Sequence, residues 1–414
     1  MTETEIKGAV AKAAAKELAQ IAPKIKTDAL LSIADAIEVN GETIIRENKK
    51  DIENAEKNNM TAALIDRLRL DNKRISDIAD GVRKVATLDD PVGMTEKTVM
   101  RPNGLQIGRK RVPIGVLGII YEARPNVTAD AAALALKSSN AVILRGGKEA
   151  INSNKAIVAV INAAAKNAGI PDGSVQLIEN TERQSAVDMM RANGYIDVLI
   201  PRGGAGLIKS VVENATVPVI ETGVGNCHTY IDDSADTNMA VNIAVNAKCS
   251  RPAVCNAMET LLISEKKAAE VLPVLEEKMT EYSVEIRGCE KTCKILKNAV
   301  LATEEDYSTE FLDYILAVKV VSGLDEAIEH ISKYSTGHSE AIVTNSYENA
   351  EKFLDTVDAA AVYVNASTRF TDGNEYGFGA EIGISTQKMH ARGPMGLEAL
   401  TTVKYVVRGN GQIR

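Results

Sequence analysis

From residue 115 onward, short apolar runs alternate with helical stretches, and this alternation restricts the chain more than any other feature. GVLGIIY (115–121), NAVILRGG (140–147), SVQLI (174–178), YIDVLIP (195–201) and VPVI (217–220) read as strands. TADAAALALKS (128–138), EAINSNKAIVAVINAAAKNAG (149–169), residues 181–192 and AGLIKSVVENA (205–215) read as helices between them. Strands that alternate with helices pair in parallel through right-handed crossovers, with both sheet faces covered. A second such unit starts near 226, with strands expected at TLLI (260–263), VEIR (284–287), AVKVV (317–321), AIVT (341–344) and AVYVN (361–365). Residues 5–85, ahead of the alternation, read as helical: Ala, Leu and Ile recur at helical spacing in AVAKAAAKELAQIA and ALLSIADAIEVN. No internal repeat or low-complexity tract interrupts this order, and no strong linker separates the two units.

Composition narrows the classes. The 414 residues suffice for two or three domains. Only 4% are aromatic and none is Trp, so the core must be built from Ala, Val, Ile and Leu. A net charge of −8 argues against a general nucleic-acid binder but leaves an anionic substrate open, because local Arg and Lys decide that. MTETEIKGAVAKAAAKELAQ is charged throughout, and no stretch reaches the ~20 apolar residues of a membrane span. With an odd number of cysteines, this gives the expectation of reduced thiols in the cytoplasm.

Two segments stand outside the alternation. EKTVMRPNGLQIGRKRVP begins at Glu96 and sets Asn-Gly between extended runs, a hairpin signature. It is too charged for a core and is expected to protrude or to pair with another chain. TTVKYVV near the C-terminus alternates as an edge strand does. Together they suggest a dimer or a larger symmetric oligomer.

The chemistry concentrates in NAKCSRPAVCNAMETLLI (246–263), at the junction of a helical run and a strand. Small residues flank Cys255, so a substrate carbon can approach its sulfur, and Arg251 is a nearby cation that favours thiolate. IPRGGAGL (200–207) is a strand, a Gly-rich turn and a helix start, which exposes backbone N–H groups to anions. GVG at 223–225 lacks the third Gly of the usual dinucleotide fingerprint. Cys289 and Cys293 have no His or Cys at ligand spacing, so no metal is expected. His228 reads as a structural hydrogen-bonder, or as the base of a Cys255–His228 hydrolase dyad.

YEARPNVT, ILRGGKEA, IPRGG, ETGVGNCHTY, CSRPAVCNAMETLL and STEFLDYILAVKVV occur in the order and spacing of the aldehyde dehydrogenase superfamily. More narrowly, the chain resembles its γ-glutamyl phosphate reductase family over essentially its whole length. The resemblance implies two Rossmann-like α/β domains plus a small β oligomerisation element: 1–95 and 115–225 for the cofactor, 226–371 for catalysis, 96–114 and 372–414 for assembly. It implies NADPH-dependent reduction of L-glutamyl 5-phosphate to the semialdehyde through a Cys255 thioester. A CoA-thioester reductase is the nearest rival, and a scaffold with a vestigial site is a third.

By the same resemblance, Cys249 is a helix residue and Glu221 stands where oxidising relatives activate water, which a reductase does not need. Glu310 stands where the nicotinamide ribose is held. Ala123-Arg124-Pro125 replaces the segment that usually supplies a second oxyanion donor, so Asn126 or Arg124 takes that role; the plain reading of Asn126 is a helix N-cap. Arg145, Gly147 and Lys148 replace the superfamily's Lys-x-x-Glu ribose grip, and a cation in place of the Glu favours NADP over NAD. Arg202, Gly203 and Gly204 correspond to the pyrophosphate-facing segment. Arg124 and Arg251 are expected to meet the substrate, with Arg202, Arg369 and Arg392 as further cations. The lability of acyl phosphates makes association with glutamate 5-kinase chemically reasonable.

Overall fold

Capping chemistry sets where the N-terminal helices begin. Thr2 and Glu5 exchange side-chain and backbone bonds in a capping box ahead of Glu3–Leu18. Pro23 opens Pro23–Val39, where no N–H is needed, and Asp71 caps Asn72–Thr87 through the Arg74 N–H at 2.8 Å. Gly41–Lys57 and the short Ala62–Leu68 complete the series. In the computed structural model, which describes residues 1–414 apart from the side chain of residue 63, these helices bury stripes such as Leu30, Ile33, Ala34 and Ile37.

The chain divides into two compact units, Met1–Glu221 with Gly377–Gly383 and Met395–Arg414, and Thr222–Tyr376 with Ile384–Pro394. The first holds a four-stranded parallel sheet ordered Val175–Leu177, Ala141–Arg145, Val116–Tyr121, Val198–Arg202. All six residues of Val116–Tyr121 are buried, as a strand covered on both faces requires. The chain leaves this strand in one direction and returns for Val198–Arg202 on its other side. The strand order therefore reverses between these two neighbours, the place where open α/β sheets bind ligands at their carboxyl ends.

The expected strand at 217–220 is not one. It makes a single bridge, Leu199 to Val219, because Pro218 offers no N–H to a ladder. The hairpin does form, Thr95–Met100 against Gln106–Pro113, and Thr401–Arg408 adds to it antiparallel as the third strand. The C-terminal strand thus pairs within its own chain, with its other side left as the sheet's edge.

The second unit carries seven parallel strands, ordered Val300–Leu301, Glu285–Gly288, Ile315–Val321, Met258–Ser264, Cys227–Ile231, Ser339–Val343, Ala361–Val364. Leu261, Ile263, Leu316 and Val318 pack one face against Val271 and Leu275. Tyr230, Leu262 and Ile342 pack the other against Ile328 and Phe353. Among the described residues, no helix is long and apolar enough to cross a membrane.

Candidate active site

Cys255 lies in a tight turn, closed by the Ala257 N–H on the Val254 carbonyl at 3.0 Å, just before the central strand Met258–Ser264. It is half-buried. Its main-chain carbonyl accepts from the thiol of fully buried Cys227 at 3.2 Å. Burial pushes the Cys227 pKa well up, which keeps that sulfur a neutral donor.

Gly225 packs on the same carbonyl. A Cβ at 225 would sit 1.5 Å from the Cys255 oxygen, so no other residue fits without moving the Cys255 backbone. The Gly225 N–H donates to Glu310 Oε1 at 2.8 Å, and burial raises the Glu310 carboxyl against that bond. Cys255 and Glu310, both named from the sequence, are thereby brought together through Gly225, which was not. A Gly225→Ala chain is expected to lose about 10²-fold in kcat, the scale of an ångström-sized misplacement. Iodoacetamide labelling of Cys255 alongside circular dichroism checks this: altered labelling on a folded protein is the expected result.

Arg369, in the turn Thr368–Phe370, reaches back to the loop that carries Cys255. Its Nε donates to Ser250 Oγ at 3.2 Å and its Nη1 to Asn256 Oδ1, while Asn256 Nδ2 donates to the Arg369 and Thr371 carbonyls. Arg251 is exposed on the loop so clamped. Beneath the loop, Lys248 and Glu259 form a fully buried ion pair at 2.6 Å, and the second Glu259 oxygen accepts the Leu312 N–H at 3.2 Å. Leu312 has φ of 55°, a left-handed conformation that needs such support. Cys249 ends the preceding helix, buried against Met279, its thiol pushed up to about 11 by burial.

His228 is fully buried, with Nδ1 3.1 Å from Glu340 and its ring edge-on to His330. It belongs to the core of the second unit. Among the described residues, no three His, Cys, Asp or Glu side chains converge as a metal site.

In the first unit, the predicted residues gather at the carboxyl ends of neighbouring strands. Gly203 and Gly204 follow Val198–Arg202. Glu122, at the end of Val116–Tyr121, accepts the Gly204 N–H at 3.1 Å, and a Cβ on Gly203 would lie 2.6 Å from Glu122 Cδ. Gly204 begins helix Ala205–Asn214 without a side-chain cap, so the first helix N–H groups have no capping side chain. Arg145 ends Ala141–Arg145 and donates to the Thr181 and Glu182 carbonyls; burial lowers its pKa, with Glu149 acting oppositely. Lys148 is exposed in the turn Lys148–Ala150, beside Gly147. Among the described residues, neither Arg145 nor Lys148 forms an ion pair with a carboxylate. Arg145, Lys148 and the uncapped helix start bring positive charge to this end of the sheet, and the Glu122 carboxylate beside Gly203 and Gly204 opposes it.

Asn126 is not the N-cap. Arg124 takes that position and Pro125 opens helix Pro125–Lys137. The exposed Asn126 amide donates to Asp130 Oδ2 at 3.1 Å, and burial pushes Asp130 up to about 6 against that bond and Arg202. Glu221 lies in the irregular stretch before Cys227–Ile231. Glu122, Cys227 and the Lys248–Glu259 pair were not singled out from the sequence. Glu122, Cys227 and Glu259 lie inside the quoted motifs YEARPNVT, ETGVGNCHTY and CSRPAVCNAMETLL, the signal that could have found them.

The model of the aldehyde dehydrogenase family matches residues 1–295 and 299–406. A γ-glutamyl phosphate reductase of Clostridium perfringens is 64% identical over 412 residues, covering 100% of this chain and 99% of that protein. The crystal structure of γ-glutamyl phosphate reductase from Thermotoga maritima superposes with a TM-score of 0.98 at 52% identity, each chain covered completely. An acetylating aldehyde dehydrogenase from Geobacillus thermoglucosidasius shares the fold at a TM-score of 0.70 and 18% identity, over 100% of this chain and 97% of that one. The chain belongs to the aldehyde dehydrogenase family, on its γ-glutamyl phosphate reductase branch.

Proposed function

We propose that this chain reduces L-glutamyl 5-phosphate to L-glutamate 5-semialdehyde and inorganic phosphate, the second step of proline synthesis from glutamate, through a thioester on Cys255. The observation that carries the reading is the seating of Cys255: a half-buried thiol whose backbone is fixed by Cys227 and Gly225, with Glu310 bonded to the same glycine. The thiolate attacks the acyl carbon, the C–O bond to phosphate breaks, and phosphate departs. The Cys255 N–H donates to the oxyanion, with Arg124 or Asn126 as the second donor; beyond its bond to Asp130, the Asn126 amide keeps one N–H. Arg251 attracts the anionic substrate, and Glu221 serves in proton transfer or in structure, since no thioester hydrolysis is required.

Membership of the family brings a nicotinamide cofactor, which supplies the hydride that reduces the thioester carbon. Arg202, Gly203 and Gly204 hold its pyrophosphate, and Glu310 its nicotinamide ribose. Arg145, Gly147 and Lys148 hold a 2′-phosphate, so the cofactor is NADP(H). A Lys148→Glu variant is expected to raise the KM for NADPH about tenfold or more while leaving NADH little changed. Steady-state kinetics with both cofactors measure the split; equal loss with both removes the 2′-phosphate assignment.

The reverse reaction tests the whole reading. Semialdehyde oxidation should reduce NADP only when phosphate is supplied, and CoA should not replace it. A CoA-dependent rate would transfer the chain to the rival acylating reaction. We place the enzyme in the cytoplasm as a homo-oligomer built on the sheet of Thr95–Met100, Gln106–Pro113 and Thr401–Arg408, whose Met100, Tyr405 and Val407 are exposed. Association with glutamate 5-kinase would shield the acyl phosphate from water.

A further inference from the structure

The loop that carries Cys255 is pinned at both ends by one guanidinium. Arg369 Nε bonds Ser250 and its Nη1 bonds Asn256, the residues that bracket Arg251 and Cys255. Asn256 is itself buried and returns its amide to the Arg369 carbonyl, which fixes the guanidinium plane relative to the loop. An arginine has five N–H donors in a planar fork. Two of the Arg369 donors are used here, and both go to neutral oxygens. Among the described residues neither Arg369 nor Arg251 forms an ion pair with a carboxylate, a state shared with Arg145, whereas Arg74, Arg83, Arg109, Arg111 and Arg287 do form one. Arg369 is half-buried; burial lowers its pKa and the charge of Arg251 lowers it further, while Cys255 and Asp372 act in the opposite direction. Two cations kept together without a carboxylate in ion-pair contact, beside Cys255, leave N–H donors for an added anion.

We propose that Arg369, with Arg251, binds the phosphoryl group that leaves the substrate and, in reverse, the inorganic phosphate that attacks the thioester. The proposal rests on the reaction stated above and adds the subsite for its phosphate. In the reverse step an oxygen of HPO4²⁻ bonds to the thioester carbon, the C–S bond breaks, and the phosphate proton passes to the departing sulfur. The products are the acyl phosphate dianion and the Cys255 thiol, so atoms and charge balance. Arg369 keeps three N–H donors for phosphate oxygens, and a fork matches two of them at once. A lysine at 369 keeps the charge but loses the fork and the hold on Ser250 and Asn256.

The test separates acyl transfer to phosphate from formation of the thioester. Enzyme mixed with semialdehyde and NADP, without phosphate, should give a burst of NADPH of one per Cys255. Arg369→Gln, which also releases the loop, is expected to slow the burst, but by a smaller factor than the rise in the KM for phosphate in steady state, which is at least about tenfold. Arg369→Lys should fall between wild type and Arg369→Gln in phosphate KM, and it remains informative if Arg369→Gln does not fold. Loss of the burst with an unchanged phosphate KM would show that Arg369 only holds the loop, and would overturn the subsite. No burst in the wild-type enzyme would instead overturn the thioester reaction itself.

Discussion

Replacing Cys255 by serine is expected to remove turnover by at least about 10³-fold while NADPH still binds. At neutral pH a free thiol is already partly thiolate and intrinsically a strong nucleophile, whereas a serine hydroxyl needs a partner base to become one. The hydroxyl would inherit a well-built position, because the Cys227 thiol and Gly225 grip the backbone of residue 255 and not its side chain. The variant should therefore fold, bind cofactor and fail in chemistry alone. Quenching or enhancement of NADPH fluorescence measures binding, and absorbance at the nicotinamide band measures turnover. A serine variant at wild-type rate would mean that no thioester is formed.

The architecture was legible because it is written in periodicity. Val116–Tyr121 is an unbroken apolar run, and Ala141–Arg145 and Met258–Ser264 carry such runs at 141–144 and 261–263; buried parallel strands announce themselves that way. Cys227–Ile231 is as buried as they are, yet it reads Cys-His-Thr-Tyr-Ile and was not assigned as a strand. Its polar side chains are carried by the interior: His228 faces Glu340, and Tyr230 donates to Asp232. Residues 217–220 failed in the opposite sense, since their apolar run promised a strand that Pro218 does not allow to extend. Motifs named Cys255 and Glu310 as candidates. What joins them was not legible, because it depends on the close approach of Gly225 to a carbonyl from a distant part of the chain. The same holds for Arg369, one of several arginines in sequence and distinguished only by its grip on both ends of one loop.

Lys248→Met is expected to destabilise the protein by about 3–5 kcal/mol, the usual cost of stranding one member of a buried ion pair. Lys248 and Glu259 are both fully buried and 2.6 Å apart. Burial pushes Glu259 up to about 7, and Lys248 is the main influence holding it down. Without that cation the carboxyl in the folded state rises further, while in the unfolded chain it stays at its ordinary 4.5. Between those two values the folded variant holds a proton that the unfolded chain has released. Stability then falls as pH rises, by about 1.4 kcal/mol per unit. In the wild type the Glu259 contribution to this slope ends near 7, and Lys248, lowered by burial, contributes with the opposite sign at higher pH. The gap between the two proteins should therefore widen from pH 7 to pH 9. Urea unfolding followed by far-UV circular dichroism measures it, since the chain has no Trp to report by fluorescence. The double variant Lys248→Met with Glu259→Leu removes the stranded acid, and should recover much of the loss and abolish the excess pH slope. A gap that stays constant over this range would mean that Glu259 is not titrating, and that the cost lies in packing around Phe311, whose ring lies 5.9 Å from the Lys248 ammonium.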